Sequence, residues 1–434
     1  MKKFRRVIAG LLVALLAVVG FAGCGGGGSD SGDTPAEEAK TINILMETVP
    51  DTDFVIANLD KFKEETGITV NVESINYSAM HEKLLTQMLS AENSYDVIVV
   101  DCYWSGEFSK AGWLEDLGPY IEESKFDISP YLPSMMEMVG TVDGTTYMIP
   151  FYNYMLGLVY RTDVFEDQEL KSGYEAATGK EFKIPDNLKD YVELCKYITS
   201  VKGEALSGAA MMGLRPDPIS MEWLNYLFSN GGDFYDAQGN ITINSPEAVE
   251  ALDLYIDNMK NAAPAGAPGF GFDEAYNVFA QGNAASYVTY NWMVPKLNDS
   301  AESKVAGTVE LAQMPGGVSL NAGWGWAIPA NAPDKEASWK FLQWVESFDI
   351  AKARALAGGS PTRSDVMSDP EVIAKYPHTE MVQTIMENSR IIPVISDAPQ
   401  LIEVLGRELS EAVAGNKTSK EALDTVAEEM KSME

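Results

Sequence analysis

Residues 96–104 read DVIVVDCYW, a continuous apolar run that ends at Asp101 and leads into two aromatic residues. A run of β-branched residues without polar alternation is typical of a strand buried on both faces. Upstream, 41–46 (TINILM) and 68–72 (ITVNV) predict two more strands, with helices over 54–66 and 80–89 between the strands. Strands that alternate with helices predict a parallel sheet covered on both faces, and therefore an α/β domain.

The rest of the chain predicts a second set of elements. Residues 144–165 (GTTYMIPFYNYMLGLVYRTDVF) have many β-formers and little helical period, so we interpret them as extended chain leading out of the first domain. Helices begin where Pro185-Asp186 and Ser245-Pro246 place a capping side chain or proline. The remaining predictions are helices over 186–200, 246–260, 272–281, 334–347 and twice within 401–433, and strands over 285–290 and 323–329.

The first residues have the layout of a bacterial lipoprotein leader. A basic start and an apolar run over 7–22 precede FAGC (21–24), which resembles a lipobox apart from Phe21, where Leu, Val or Ile is usual. The run is short for a membrane span, which needs about 20 residues. We therefore predict a signal peptide over 1–23, a lipidated Cys24 that anchors the protein to the outside of the cell membrane, and a flexible linker over 24–39. An ordinary secretory peptide or an uncleaved anchor remains an alternative.

Composition limits the partners. The 32 basic and 64 acidic side chains give a net charge of −32, or −36 after loss of the four basic residues in 1–23. Such a chain is repelled by nucleic acid and by anionic lipid surfaces. The residues from 40 onward are too many for one hydrophobic core and predict two domains. Cys102 and Cys195 fall in different predicted domains, so we expect two unpaired thiols rather than a disulfide.

Several stretches, taken in order, carry a resemblance to a known family. They are FAGC with its linker, DVIVVDCYWSGEFSKAGWLEDL (96–117), residues 144–165, FAQGNAASYVTYNW (279–292), MPGG with GWGWAIPA (314–330), KEASWKFLQWVES (335–347) and GGSPTR (358–363). Together they resemble the extracellular solute-binding proteins (family 1) of carbohydrate ABC importers, the group that includes maltose-binding proteins. The resemblance covers nearly the whole mature chain and is weakest over 166–222.

The resemblance implies a fold and a set of partners. The fold would be a two-lobe α/β fold of the periplasmic-binding-protein type (type II), with hinge crossings and a ligand cleft between the lobes. The N lobe would comprise 40–153 and 296–350, and the C lobe 157–290 and 354–434. The partners would be a carbohydrate ligand and the permease subunits of an ABC transporter in the membrane. The protein would act as a monomer without a cofactor or catalytic activity.

Sugar recognition requires aromatic rings that pack on C–H faces and polar side chains that exchange hydrogen bonds with hydroxyls. Tryptophans, tyrosines and polar residues at predicted strand ends and crossings, where the family places its contacts, meet this requirement. The candidate ligand contacts are Asp101, Tyr103, Trp104, Tyr152, Asn153, Trp223, Trp292, Trp324, Trp326, Arg363, Glu47 and Asp53.

Structural roles for these residues remain open. Asp101 could cap a helix, Arg363 could form an ion pair, and Trp223 could pack within a helix bundle. Trp324 and Trp326 alternate with glycine on an extended segment, so they point to one face, which either lines the cleft or is buried in the hinge.

Other functions are less well supported by the residues. A glycoside hydrolase needs a defined pair of carboxyl groups, and nothing in the sequence fixes one. No stretch has the spacing of a calcium-binding loop, and the histidines number two, His81 and His378, which we place on surface helices or loops. A receptor for an amino acid, a peptide or a metal would use the same fold and remains the main alternative.

Overall fold

A five-stranded sheet is built around the strand that begins at Val97. The structure is a computed structural model that describes residues 40–90 and 94–433. The leader, Cys24 and the linker lie outside the described residues. In spatial order the strands are β2 (Thr69–Ile75), β1 (Thr41–Glu47), β3 (Val97–Asp101), β11 (Gly323–Ala327) and β6 (Met148–Asn153).

The sheet is mixed rather than parallel, which corrects the sequence prediction. Strand β1 runs parallel to β2 and β3, as expected, but β11 is antiparallel to both β3 and β6. The parallel rule applies to successive strands joined by a helical crossover. Because β11 comes from a distant part of the chain, no such crossover fixes its direction.

A second sheet contains three antiparallel strands, β8 (Ser286–Tyr290), β7 (Leu156–Arg161) and β9 (Val309–Ala312), with β7 in the centre. The chain passes from the first sheet to the second at Tyr154 and Met155, between β6 and β7. The prediction that 296–350 belongs wholly to the N lobe is therefore wrong at β9. Two short pairs complete the strands: β4 (Thr141–Val142) with β5 (Thr145–Thr146), and β10 (Ser319–Leu320) with β12 (Ser389–Arg390).

Helices connect the strands. In the described residues they are α1 (Pro50–Thr66), α2 (Tyr77–Met88), α3 (Cys102–Lys110), α4 (Gly118–Ser124), α5 (Pro133–Met135), α6 (Thr162–Phe165), α7 (Gln168–Thr178), α8 (Leu188–Lys202), α9 (Asp217–Ser229), α10 (Pro246–Asn261), α11 (Phe272–Ala280), α12 (Met293–Leu297), α13 (Lys335–Val345), α14 (Phe348–Leu356), α15 (Ser364–Met367), α16 (Pro370–Lys375), α17 (His378–Glu387), α18 (Ala398–Ala414) and α19 (Ser419–Met430). Within this part of the chain, none is both long and apolar enough to cross a bilayer.

The helix boundaries follow local capping chemistry. Helix α1 starts at Pro50, four residues before the predicted start, because proline is favoured in the first helical turn. Helix α8 is capped by Asn187, whose side chain accepts from the Asp190 backbone amide, and not by Asp186. Ser245 caps α10 as predicted. Cys102 and Cys195 are buried and unpaired, which confirms the expectation of two free thiols.

The glycines of GWGW are required by packing. The single helical turn Met136–Gly140 packs against β11. A Cβ atom on Gly323 would lie 2.5 Å from Val139 Cγ2, and one on Gly325 would lie 2.6 Å from Met148 Cβ. Neither approach leaves room for a methyl group, so glycine at both positions allows β11 to enter the sheet.

We predict that Gly325→Ala lowers the free energy of unfolding by about 1–3 kcal/mol, because overpacking a filled interior forces neighbouring groups apart. Urea denaturation monitored by circular dichroism measures the change. The matched control is Gly269→Ala, where a Cβ would meet nothing within 4 Å. Equal stabilities for the two variants would contradict the packing argument.

Candidate functional site

A cavity of about 210 Å³ lies where the strand ends of the two sheets face each other. The residues around it come from strand ends, helix starts and the crossing between the sheets. They are Glu47, Tyr77, Asp101, Tyr103, Tyr154, Asp217, Met221, Phe272, Asp273, Tyr290, Trp292, Met293, Ala322 and Trp324. Ligands of α/β proteins collect at the carboxyl ends of strands, and this cavity has that position.

One wall is formed by the first sheet. Glu47 and Asp101 are the last residues of β1 and β3. Because β11 is antiparallel to β3, its first residues lie at the same edge, and Trp324 pairs with Asp101. The Asp101 carboxylate also accepts from the Tyr103 amide at 3.2 Å, so the residue caps α3 and lines the cavity.

The opposite wall comes from the second part of the chain. Tyr290 ends β8, and Trp292 lies two residues further along, immediately before α12. Asp217 is the first residue of α9, and Asp273 is the second residue of α11. Carboxylates are favourable at helix N-termini, since the exposed amides carry partial positive charge there. Together with Glu47 and Asp101 on the first wall, these residues give each wall of the cavity two acidic groups.

Aromatic rings cover much of the surface. The Tyr77 and Trp324 rings are 5.8 Å apart between centroids, with an edge-on geometry. The Tyr154 ring lies 5.8 Å from Trp292 and 6.0 Å from Tyr290. These contacts form two groups of packed rings around the cavity, Tyr77 with Trp324 and Tyr154 with Trp292 and Tyr290.

Tyr154 has a polar atom without a partner. Its side chain is 7% exposed, and its hydroxyl makes no hydrogen bond within the described part of the chain. Buried hydroxyls are normally paired, and an unpaired one costs about 1–3 kcal/mol. Since Tyr154 lines the cavity, a bound ligand could supply the missing partner.

Burial shifts the titration of the cavity acids. It raises the pKa of Asp101 to about 7, against the opposing effect of the hydrogen bond from Tyr103, and the Asp217 charge raises it further. Burial also raises the pKa of Glu47 to about 8, although the hydrogen bond from Tyr152 lowers it. The pKa of Asp217 is raised by burial as well. At neutral pH Asp101 and Glu47 are therefore partly protonated and can donate as well as accept hydrogen bonds.

Five of the residues proposed from the sequence lie together at this cavity. They are Glu47, Asp101, Tyr103, Trp292 and Trp324. All five stand at or just after a strand end, or at the start of β11. This shared position explains why the pattern of the sequence could place them at one edge.

The other proposed tryptophans are held by protein partners outside the lining. Trp104 stacks on Tyr77 at 5.6 Å and is therefore one layer behind the cavity. Trp223 is fully buried in α9. Trp326 pairs with Val99, two residues further into the sheet than Trp324, and its indole donates to Glu346 at 3.0 Å.

The remaining polar proposals also have structural partners. The Tyr152 hydroxyl donates to Glu47 at 2.8 Å and so positions a residue that does line the cavity. Asn153 is buried, donates to the Pro361 carbonyl and accepts from Asn291. These bonds tie the crossing segments to one another.

Arg363 and Asp53 lie away from the cavity lining. Arg363 forms an ion pair with Asp365 at 2.7 Å and donates to the Glu346 carbonyl, which is the alternative role considered for it. Asp53 is exposed because α1 begins at Pro50 and carries it along the helix, not in a loop.

The histidines are half-buried, which corrects their predicted surface placement. His81 Nε2 lies 2.7 Å from Glu107 Oε2. Burial lowers the pKa of His378 to about 4. Neither residue lines the cavity. Among the described residues, no group of three acidic, His or Cys side chains is arranged to hold a metal ion.

Sequence reasoning missed most of the second wall. The missed residues are Tyr77, Tyr154, Asp217, Met221, Phe272, Asp273, Tyr290, Met293 and Ala322. A usable signal existed for some of them: Asp217 and Asp273 begin helices after glycine- and proline-containing loops, and Tyr154 immediately follows the proposed Tyr152 and Asn153.

Comparisons with known proteins agree with this geometry. The chain is similar to a mannitol-binding protein of Pseudomonas aeruginosa (24% identity over 430 residues, 91% of this chain and 94% of the relative). It is also similar to a probable amino-acid ABC transporter periplasmic-binding protein of Sinorhizobium fredii (25% over 366 residues, 83% and 81%). A solved ABC transporter solute-binding protein of Agrobacterium radiobacter K84 in complex with ribitol superposes with a TM-score of 0.77 at 27% identity, covering 90% of this chain and 98% of that one.

These similarities confirm the two-lobe α/β fold implied by the sequence resemblance. The family model of bacterial extracellular solute-binding proteins matches residues 48–349, which include strands of both sheets and all the cavity residues from Tyr77 to Trp324. The chain therefore belongs to the bacterial extracellular solute-binding proteins.

Proposed function

We propose that this protein captures a sugar or polyol outside the cytoplasm and delivers it to the permease of an ABC importer. The observation that carries the proposal is the cavity itself, in which aromatic rings and carboxyl groups from two sheets face one small space. Rings such as Trp292 and Trp324 pack on the C–H groups of a sugar, and Glu47 and Asp101 accept from its hydroxyls.

The relatives support this class of ligand. The names of two similar proteins specify mannitol and ribitol, both of which are polyols. Another similar protein is named for amino acids, whose carboxylate forms its strongest hydrogen bonds with a cationic side chain. In the described part of the chain, no Lys, Arg or His lines the cavity, and this favours a polyhydroxy ligand over an amino acid.

Closure of the two lobes couples binding to transport in this proposal. Residues from both walls contact the ligand, so the closed form binds it more tightly than the open form. Changing the closed fraction from about 1% to 99% requires roughly 5.5 kcal/mol of differential binding. A ligand of micromolar affinity has about 8.2 kcal/mol in total, so binding alone is sufficient. The protein would hydrolyse nothing.

The order of segments along the chain would serve this role. We propose that residues 1–23 are a signal peptide, that Cys24 is lipidated and that 24–39 is a linker which keeps a monomeric receptor close to the permease. The N lobe would comprise 40–153 and the parts of 296–350 other than β9. The C lobe would comprise 157–290, β9 and 354–434.

Thermal unfolding of a soluble protein beginning at Ser29 tests the proposal. The panel contains monosaccharides, polyols, oligosaccharides, amino acids and divalent metals. A ligand at about a hundred times its dissociation constant adds roughly 2.7 kcal/mol of stability and raises Tm by several degrees. Stabilisation by sugars or polyols supports the proposal, whereas stabilisation by amino acids or metals alone would refute it.

We predict that Trp292→Ala weakens binding of the most stabilising sugar or polyol by about 2 kcal/mol, or roughly thirty-fold, because the apolar contact is lost. Isothermal titration calorimetry measures the change. Trp113→Ala is the matched control, since Trp113 is similarly half-buried but lies outside the lining. Equal affinities of the two variants would remove Trp292 from the site.

The raised pKa values predict how stability depends on pH. The folded state holds the protons of Asp101 and Glu47 up to about pH 7 and 8. The unfolded chain releases them near pH 4. The contribution of these two groups to stability is therefore greatest at low pH and falls as pH rises through this interval. Asp51 and Glu346, whose pKa values burial also raises, act in the same direction.

The variant Asp101→Asn/Glu47→Gln should show a smaller loss of unfolding free energy between about pH 5 and pH 8 than the original protein, because two of the titrating groups are absent. Asparagine preserves the cap of α3. Urea denaturation across this pH range is the measurement. An unchanged slope would show that these two acids titrate normally in the folded protein.

A further inference from the structure

We propose that the cavity selects a single small uncharged polyhydroxy compound, a monosaccharide or an acyclic polyol of similar size, and excludes acidic sugars. This inference rests on the proposed function and specifies its ligand. Three features of the cavity carry it: its volume, the contact between its walls, and the sign of the charges around it.

Volume limits the ligand to one sugar unit. The cavity has a volume of about 210 Å³. A hexose or hexitol occupies roughly 180 Å³, the volume of about six molecules of liquid water, which is of the same order as the cavity. A trisaccharide would need about three times that volume and could not be enclosed by the same walls.

The two walls of the cavity touch each other. The Tyr103 hydroxyl on α3 lies 3.5 Å from the Met221 sulfur on α9, and both residues line the cavity. Both side chains are less than a tenth exposed. A longer saccharide that needed more space between the walls would have to break this contact.

Charge excludes anions. Four carboxyl groups face the cavity, and among the described residues no cationic side chain lines it. Lys296 lies 5.4 Å from the Trp292 ring centroid but is not part of the lining. The charge of Asp217 acts on Asp101 from the opposite wall. An added carboxylate or phosphate would be repelled by the ionised fraction of these carboxyl groups, and no cationic side chain of the lining would offset that repulsion.

Tyr154 supplies an independent indication of a hydroxyl-bearing ligand. Its buried hydroxyl has no hydrogen-bond partner among the described residues, and the residue lines the cavity. Burial raises the pKa of this phenol well above its ordinary value, so the group stays neutral. A neutral hydroxyl can pair with it as donor or acceptor.

Isothermal titration calorimetry of the soluble protein tests the selectivity with matched compounds. The neutral set contains aldohexoses, pentoses, hexitols and pentitols, and each is compared with its uronate or aldonate and, for glucose, with maltotriose. We expect the best neutral compound to bind at least a hundred times more tightly than its acidic counterpart. Any maltotriose binding should be at least ten times weaker than that of the best single-unit compound.

A variant tests whether the acidic groups cause the discrimination. Asp217→Asn/Asp273→Asn keeps the shape of both side chains and removes two charges. It should reduce the ratio of the dissociation constants of the acidic and the neutral compound at least ten-fold, chiefly because the acid binds more tightly. Asp60→Asn, on the exposed face of α1, is the control and should leave the ratio unchanged.

The possible results separate this inference from the proposed function. Tighter binding of a uronate, an aldonate or maltotriose than of the neutral single-unit compounds would overturn the inference and leave a sugar receptor. An unchanged ratio in the Asp217→Asn/Asp273→Asn variant would overturn the electrostatic explanation. Failure of every compound to bind would overturn the proposed function as well.

Discussion

The pairing of β11 with β3 and β6 is the constraint on which the site depends. It places Trp324 beside Asp101 on one neighbour and beside Tyr152 on the other. Tyr152 in turn donates to Glu47, so backbone pairing orders both carboxyl groups of the first wall. Glycine at 323 and 325 makes the pairing possible, because the surrounding side chains leave no room for a Cβ. The GWGW stretch therefore has two roles: Trp324 lines the cavity, and the two glycines let the strand pack into the sheet.

Without a ligand, the groups around the cavity lower the stability of the folded protein. Burial disfavours the charged forms of Glu47 and Asp101, and Asp217 adds repulsion from the opposite wall. The Tyr154 hydroxyl has no partner within the described residues. Groups whose environments perturb their pKa values cluster at functional sites. A ligand rich in hydroxyls can satisfy these groups together, which gives a physical reason for the two walls to close around it.

Much of the first wall could be predicted from the sequence, because it follows from strand ends. The run at 97–100 predicts a buried strand, and the residue that ends such a strand lies at the ligand-binding edge. Asp101 follows from this rule, whereas Trp324 was proposed from its alternation with glycine in GWGW. The role of Trp326 stayed open, because alternation shows which face of the strand a side chain occupies but not how far it lies from the end of the strand. Its pairing with Val99 places it inside the sheet. The antiparallel direction of β11 could not be inferred from local pattern.

The second wall was less predictable because it depends on long-range packing. Asp217 and Asp273 begin helices and so resemble ordinary capping residues. Their approach to Asp101 depends on how the two lobes meet, which no local period encodes. Strand β9 shows the same difficulty, since its partner β7 lies far away in sequence. Tyr154 was missed by a single residue, because β6 extends through Asn153 and the crossing begins after it.

The most direct test of this account is a crystal structure of the protein with the neutral sugar or polyol that binds it most tightly. The account predicts that the compound occupies the cavity, packs against Trp292 or Trp324, and forms hydrogen bonds with Asp101 on one wall and Asp217 or Asp273 on the other. A compound bound elsewhere, or touching one wall only, would contradict the claim that both lobes recognise the solute.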